Sequence, residues 1–324
     1  MPASVLDRRL HFVIGKGGVG KTTVTAAMAM LLARHGRRTL AVEMDGAGRL
    51  SVLLGGPEAN PVPAQVLPNL HVQAIDGRAA LEEYLGLVIP VKRLLSTVFS
   101  SRLYQYFVAV APGLKELMTV GKICYEATRE EGGRPMWDAI VVDAPATGHG
   151  LQHFRMPGAA RETFGTGLVQ REATKIVELL RDARTTAVHL VTLAEEMPIT
   201  ETLETERELT GPLAMSLGHV VANRLHTRRF APDVTAAVAA AAQQTTGTDA
   251  ALLEAVAARA VEETGWTAIN AHNLDRLREA LPTVPLVELP YLFVEEFGRD
   301  ELETLSRRLE QSMAPPSGAV ATAT

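Results

Sequence analysis

The stretch Gly15-Lys16-Gly17-Gly18-Val19-Gly20-Lys21-Thr22-Thr23 restricts the fold of this 324-residue chain more than any other. An apolar run at 10–14 precedes it, and an Ala/Met/Leu-rich run at 23–35 follows it, ending before Gly36. A glycine loop between strand and helix, closed by Gly-Lys-Thr, is a phosphate cradle. Its glycines let backbone N–H groups converge on phosphate oxygens at a helix N-terminus. Lys21 is spaced to reach the β- and γ-phosphates, and the Thr22 hydroxyl to ligate Mg²⁺. The expected cofactors are therefore ATP and Mg²⁺, with Gly15 to Thr23 forming the binding loop. Lys16, one residue after the first glycine, marks the deviant form of the Walker A loop. The chain's own phosphates do not need that side chain, so it can reach the nucleotide of a facing subunit. This predicts a two-fold dimer with nucleotide at the interface.

The rest of the chain repeats the strand–helix alternation. Short β-branched runs recur at 10–14, 39–42, 70–75, 139–142, 187–193, 219–222 and 284–289. They do not alternate polar with apolar, which is how strands covered on both faces read. The expectation is an α/β fold, a doubly wound, mostly parallel sheet of the P-loop NTPase type with a helical insertion subdomain. Two gaps between strands exceed one crossover helix and a third helical region follows, so helical insertions are expected at about 81–135, 150–185 and 232–281. The last is Ala-rich and broken near 245–248. Because strands continue beyond the insertions, residues 1–314 read as one ATPase domain. Residues 315–324 read as a disordered small-residue tail.

Two further segments carry chemistry. The run 137–142 leads into Asp143-Ala144-Pro145-Ala146-Thr147-Gly148-His149. An Asp at the C-terminal end of a buried strand beside the phosphate loop is where a carboxylate holds Mg²⁺. Gly148 permits close backbone approach, so its N–H can meet the γ-phosphate, as in a γ-phosphate sensor. After the second strand comes Glu43-Met44-Asp45-Gly46-Ala47-Gly48-Arg49-Leu50. Asp45 faces the same crevice as Lys21, where a carboxylate can orient the attacking water; a plain turn Asp is the other reading. His149 and His153 share a helical face and read as a polar switch face rather than a metal pair.

Composition excludes several classes. The net charge of −5 gives no field to hold nucleic acid by phosphate contacts, so no nucleic-acid partner is expected. No stretch approaches the roughly 18 apolar residues of a membrane span, so no stable membrane insertion is expected. The single cysteine, Cys124, fits a reducing compartment and a cytoplasmic location. It cannot build a Cys-rich zinc or iron–sulfur site within one chain.

Together these residues resemble the ArsA family, the arsenical-pump ATPases and the related ATPases that guide tail-anchored membrane proteins. The resemblance spans about residues 10–290. Its most specific marks are GKGGVGKTT at 15–23 and DAPATGHGLQHFRMP at 143–157. AEEMPITETLETEREL at 194–209 and VVANR at 220–224 also look family-like. The resemblance implies that Asn223 recognises adenine, that Glu201 contacts the nucleotide, and that Asp45 falls on the catalytic aspartate. On spacing alone, Glu201 and Asn223 read as a solvated Glu and a strand-end Asn. The family's first switch, D-P-A-H-N-L, is replaced here by Asp-Gly-Ala-Gly-Arg-Leu, which implies slow or partner-stimulated hydrolysis. The pump's metalloid cysteines and second phosphate loop are absent, as is the Cys-x-x-Cys zinc pair of the targeting factors. The segment 111–123 resembles bacterial relatives labelled anion-transporting ATPases, which often occur as paired, non-identical subunits. The resulting expectation is a dimeric ATPase switch, a homodimer or a heterodimer with a paralogous ATPase, acting on a protein client of unknown identity. Two other readings compete: a positioning ATPase of the ParA or MinD kind, and a non-hydrolysing subunit of a heterodimer. The tail 311–324 lacks Lys and Arg, and Arg228–Arg229 is a thin basic patch, which weakens the first of these.

Overall fold

A computed structural model of the chain describes residues 5–44, 48–57, 61–88, 113–228 and 231–313. Strand β1 (Leu10–Gly15) lies inside an eight-stranded sheet. Its neighbours are β7 (Ala139–Ala146) and β8 (Thr186–Leu193), both parallel to it. The sheet continues on one side through β2 (Thr39–Met44) and β4 (Leu70–Ile75) to β3 (Ala64–Leu67). On the other side it runs through β9 (Leu217–Leu225) to β10 (Leu286–Pro290). Within this sheet, among the described residues, only the β3–β4 pair is antiparallel. The doubly wound, mostly parallel sheet expected from the alternation is therefore present, and the strand runs fall where the apolar pattern puts them.

The unalternating runs have a direct cause, since both faces are covered. Leu10, Phe12, Ile14, Leu40, Val42, Ile140, Val142, Val188 and Leu190 form one core. It is packed by α4 (Leu114–Thr128), α5 (Thr147–Thr163) and α6 (Leu168–Arg181) through Val120, Ile123, Phe154, Ile176 and Leu180. The alternate residues Val13, Ala41, Val141, Val191, Val221 and Val287 face α1 (Lys21–Arg34) and α10 (Arg299–Met313).

The described parts of the three insertions are largely helical. The first opens with α3 (Gly77–Val88) and includes α4, but its end differs from expectation. Residues 130–135 form a hairpin of β5 (Glu130–Glu131) and β6 (Arg134–Pro135) rather than helix. Gly132 and Gly133, at φ 61° and 75°, make the two-residue turn that only glycine adopts freely. Residues 89–112, including the helical spacing over 91–110, lie outside the described residues, as do Arg229 and the tail 315–324. The second insertion is α5 and α6, and the third is α8 (Pro232–Gln244) and α9 (Thr248–Ala280), broken where expected. Between them, α7 (Glu196–Thr210) links β8 to β9. No helix among the described residues is long and apolar enough to cross a membrane.

Candidate functional site

The loop after β1 sits where neighbouring connections leave the sheet in opposite directions, the usual place for a ligand crevice in such folds. Gly15 is forced by packing, because a Cβ there would lie 2.1 Å from the Val191 carbonyl oxygen of β8. Gly18 and Gly20 have φ of 86° and 93°, the left-handed region that glycine enters without strain. Gly20 caps α1, whose first turn holds Lys21, Thr22 and Thr23, and Val19 anchors the loop in the core. The loop turns tightly, and Lys21 Nζ donates to the Lys16 carbonyl at 3.1 Å.

Asp143 stands beside it on β7. Thr22 Oγ1 donates to Asp143 Oδ2 at 2.6 Å, while Oδ1 is buried with no partner. Burial pushes the Asp143 carboxyl up to about 6, against the Thr22 and Thr25 hydroxyls and the Lys21 charge, and the Glu43 carboxylate adds to the rise. Burial likewise pushes the Lys21 ammonium down, opposed by Asp143 and Glu201. A buried, unpartnered carboxylate oxygen next to a threonine hydroxyl is the hard oxygen environment a divalent cation takes. Thr22 and Asp143 thus fit Mg²⁺ by their chemistry. A local irregularity sets this up: between Val13 and Gly15 of β1, the partner strand advances from Asp143 to Ala146. That extra length around Pro145 marks a bulge, a frequent device beside functional sites.

Lys16 Nζ lies 3.3 Å from Glu201 on α7, with both side chains about one-third exposed. The other Glu201 oxygen accepts the Thr147 hydroxyl at the start of α5. Glu201 is therefore brought to the phosphate loop, through Lys16 and Thr147. Asn223 is brought there too: its Nδ2 donates to the Val19 carbonyl at 2.9 Å and backs Gly20 closely. Its amide thus supports the loop itself, a role the adenine expectation did not include. Gly148 is exposed in the first turn of α5, with open space where a Cβ would stand. Asp45 lies outside the described residues. His153 is buried with Nδ1 3.0 Å from the His149 carbonyl. Among the described residues no group of three or more His, Cys, Asp or Glu side chains is placed to hold a metal.

Two residues near the site are not evident from the sequence motifs. Glu43 is buried at the end of β2 and caps α2 (Arg49–Leu53). Its signal is a lone carboxylate inside an apolar strand. Gly150 lets α5 approach β1, because a Cβ there would meet Ile14 Cδ1 and the Pro145 carbonyl at 3.0 Å. Its signal is a second glycine two residues after Gly148 in the run that follows Asp143.

A family model described as anion-transporting ATPase matches residues 8–171, which include the phosphate loop and Asp143. ATPase BagA of Mycobacterium tuberculosis is 35% identical over 232 residues, 69% of this chain and 67% of that protein. The chain belongs to the ArsA family of ATPases. An arsenical pump-driving ATPase of Escherichia coli is 30% identical over 220 residues, 68% of this chain but 35% of the relative. A putative arsenical pump-driving ATPase of Aquifex aeolicus is 30% identical over 155 residues, 46% of this chain and 38% of the relative. The chain thus spans little more than a third of these pump-driving relatives. Within the ArsA fold, the lone Cys124 is buried on α4, and burial pushes its thiol up to about 12, the behaviour of a core residue.

Proposed function

We propose that this ArsA-family chain binds and hydrolyses Mg·ATP, and that its nucleotide state sets its grip on a protein partner. The observation that carries the reading is the Thr22–Asp143 couple at the foot of the glycine loop, with one carboxylate oxygen buried and unpartnered. Gly15 to Thr23 hold the phosphates, Lys21 neutralises the β- and γ-phosphates, and Gly148 lies at the γ-phosphate end. Thr22 and Asp143 would hold Mg²⁺, which when bound would add charge neutralisation at the phosphates. Asp45 orients the water, and Asn223 and Glu201 complete the nucleotide pocket.

The switch reading rests on connectivity. Glu201 touches both Lys16 of the loop and Thr147 of α5. Helix α5 shares its core with α4 and α6. Those two helices and α3 line a cleft of about 810 Å³ whose walls include Tyr84, Leu117, Met118, Ile176 and Leu179. Such a cleft suits an apolar segment of a partner. We place the protein in the cytoplasm as a dimer, with Lys16 acting across the two-fold axis.

A complementation assay tests this. Lys16→Ala binds ATP but lacks the lysine needed across the axis. Lys21→Ala cannot hold the phosphates but still offers Lys16. Each variant alone is expected to be inactive. An equal mixture is expected to recover about a quarter of the wild-type rate, since random pairing leaves half the dimers mixed with one competent site each. No turnover by the wild type overturns the hydrolytic reading. Wild-type turnover without recovery on mixing overturns the dimeric one.

A further inference from the structure

We propose that Glu43 is a positioning residue of the hydrolytic reaction, one that fixes the first switch segment against the strand carrying Asp143. This rests on the ATPase reading above. Glu43 is 5% exposed, inside a strand otherwise made of Thr, Leu, Ala, Val and Met. Its two carboxylate oxygens are divided between two backbone donors. Oε1 accepts the Arg49 N–H and Oε2 the Leu50 N–H, each at 3.2 Å. The chain leaves β2 at Met44, and Gly48, at φ 80°, turns it into α2. Glu43 therefore binds the first two amides of the returning segment. Leu50, fully buried, fixes the same point in the core.

Stability alone does not explain a carboxylate here. Glu43 pairs in register with Asp143 on the neighbouring parallel strand, and alternation puts both on the face toward α1. Two buried carboxylates side by side oppose one another, and a hydrophobic residue at 43 would continue the core. The like charge is tolerated because each carboxylate has its own donors. Asp143 has Thr22, and Glu43 has the two amides at the start of α2. The result is a direct mechanical link between the first switch and the strand of the second. In the sequence Asp45 lies between Glu43 and Arg49, so the two amides Glu43 holds fix the chain on the far side of it.

The test uses Glu43→Gln and Glu43→Asp in the full chain. Glutamine keeps the length and one acceptor, whereas aspartate keeps the charge but falls short of the amides. Positioning predicts that hydrogen exchange of the Arg49 and Leu50 amides quickens at least tenfold in both variants without nucleotide. It predicts a kcat lowered about tenfold in Glu43→Gln and further in Glu43→Asp, with the Mg·ATP Kd within about twofold of wild type. Unchanged exchange or unchanged kcat overturns the inference while leaving the ATPase reading intact. So does a kcat loss matched by an equal rise in Kd, or the reverse ranking, which a role for charge alone requires. A wild-type protein without turnover overturns both.

Discussion

Replacing Asp143 with Asn is expected to stabilise the nucleotide-free protein and to remove its response to Mg²⁺. Asp143 is 7% exposed, and its carboxyl is raised from 3.8 to about 6, first by burial. A raised carboxyl works against folding once ionised. Below pH 3.8 both folded and unfolded chains hold the proton and nothing is lost. Between 3.8 and 6 the unfolded chain releases it while the folded chain keeps it, so stability falls as pH rises. Above that range the full penalty of roughly 3 kcal/mol persists, at about 1.4 kcal/mol for each pH unit that separates the folded from the unfolded carboxyl. Asn carries no charge, and its side-chain oxygen can still accept from Thr22. Asp143→Asn should therefore gain about 1.5 kcal/mol at about pH 5 and about 3 kcal/mol at about pH 8 relative to wild type, read by urea unfolding. With Mg·ATP at about a hundred times its Kd, wild type should gain about 2.7 kcal/mol. The variant should gain far less, because it offers no anionic oxygen to the cation. A gain equal at both pH values, or a variant less stable than wild type at the higher pH, would refute the account of Asp143 as a strained, cation-ready carboxylate.

Gly15→Ala should destabilise by about 3 kcal/mol or more in urea melts, because its Cβ would meet the Val191 carbonyl oxygen at 2.1 Å between two central strands. Asn223→Ala leaves the Val19 carbonyl without its donor and should lose about 1–3 kcal/mol, with weaker ATP binding by titration calorimetry. The stacked histidines His11, His189 and His219 are buried on β1, β8 and β9. Burial lowers His219 from 6.5 to about 4, so the unfolded chain takes the proton first and stability falls as pH drops below 6.5. His219→Phe should flatten that acid slope between pH 6.5 and 4 by about one proton, measured as unfolding free energy against pH.

What the sequence made legible was local. The phosphate loop needs only consecutive residues to state its geometry, and Gly18 and Gly20 take the positive φ that the loop demands. The central strands were legible because burial on both faces removes alternation, so β1, β2, β7 and β8 stand out as apolar runs. Strand β3 did not, since Ala64–Leu67 is short, partly exposed and antiparallel at the sheet edge. The hairpin at 130–135 was hidden by its charged strands, although Gly132-Gly133 is a turn signal in itself. Contacts between distant segments had no local signature. Asn223 reaches Val19 across 204 residues, and the Thr22–Asp143 bond spans 121. The pairing of Lys16 with Glu201 belongs to the same class.

That last contact bears on how a phosphate site can speak to a helix. An ion pair with both ends about one-third exposed contributes only ~0–1 kcal/mol. Lys16 is thus held only weakly, and on the proposed reading a polyphosphate with several charges would outcompete a single carboxylate for it. Glu201 is not a passive loser in that exchange, because its second oxygen holds Thr147, the first residue of α5. Withdrawing Lys16 would leave Glu201 held by the Thr147 hydroxyl at the start of α5. The proposed coupling would then need no long relay. Lys16 and Thr147 each hold one oxygen of the same carboxylate, and Thr147 begins the helix that shares its core with two walls of the cleft.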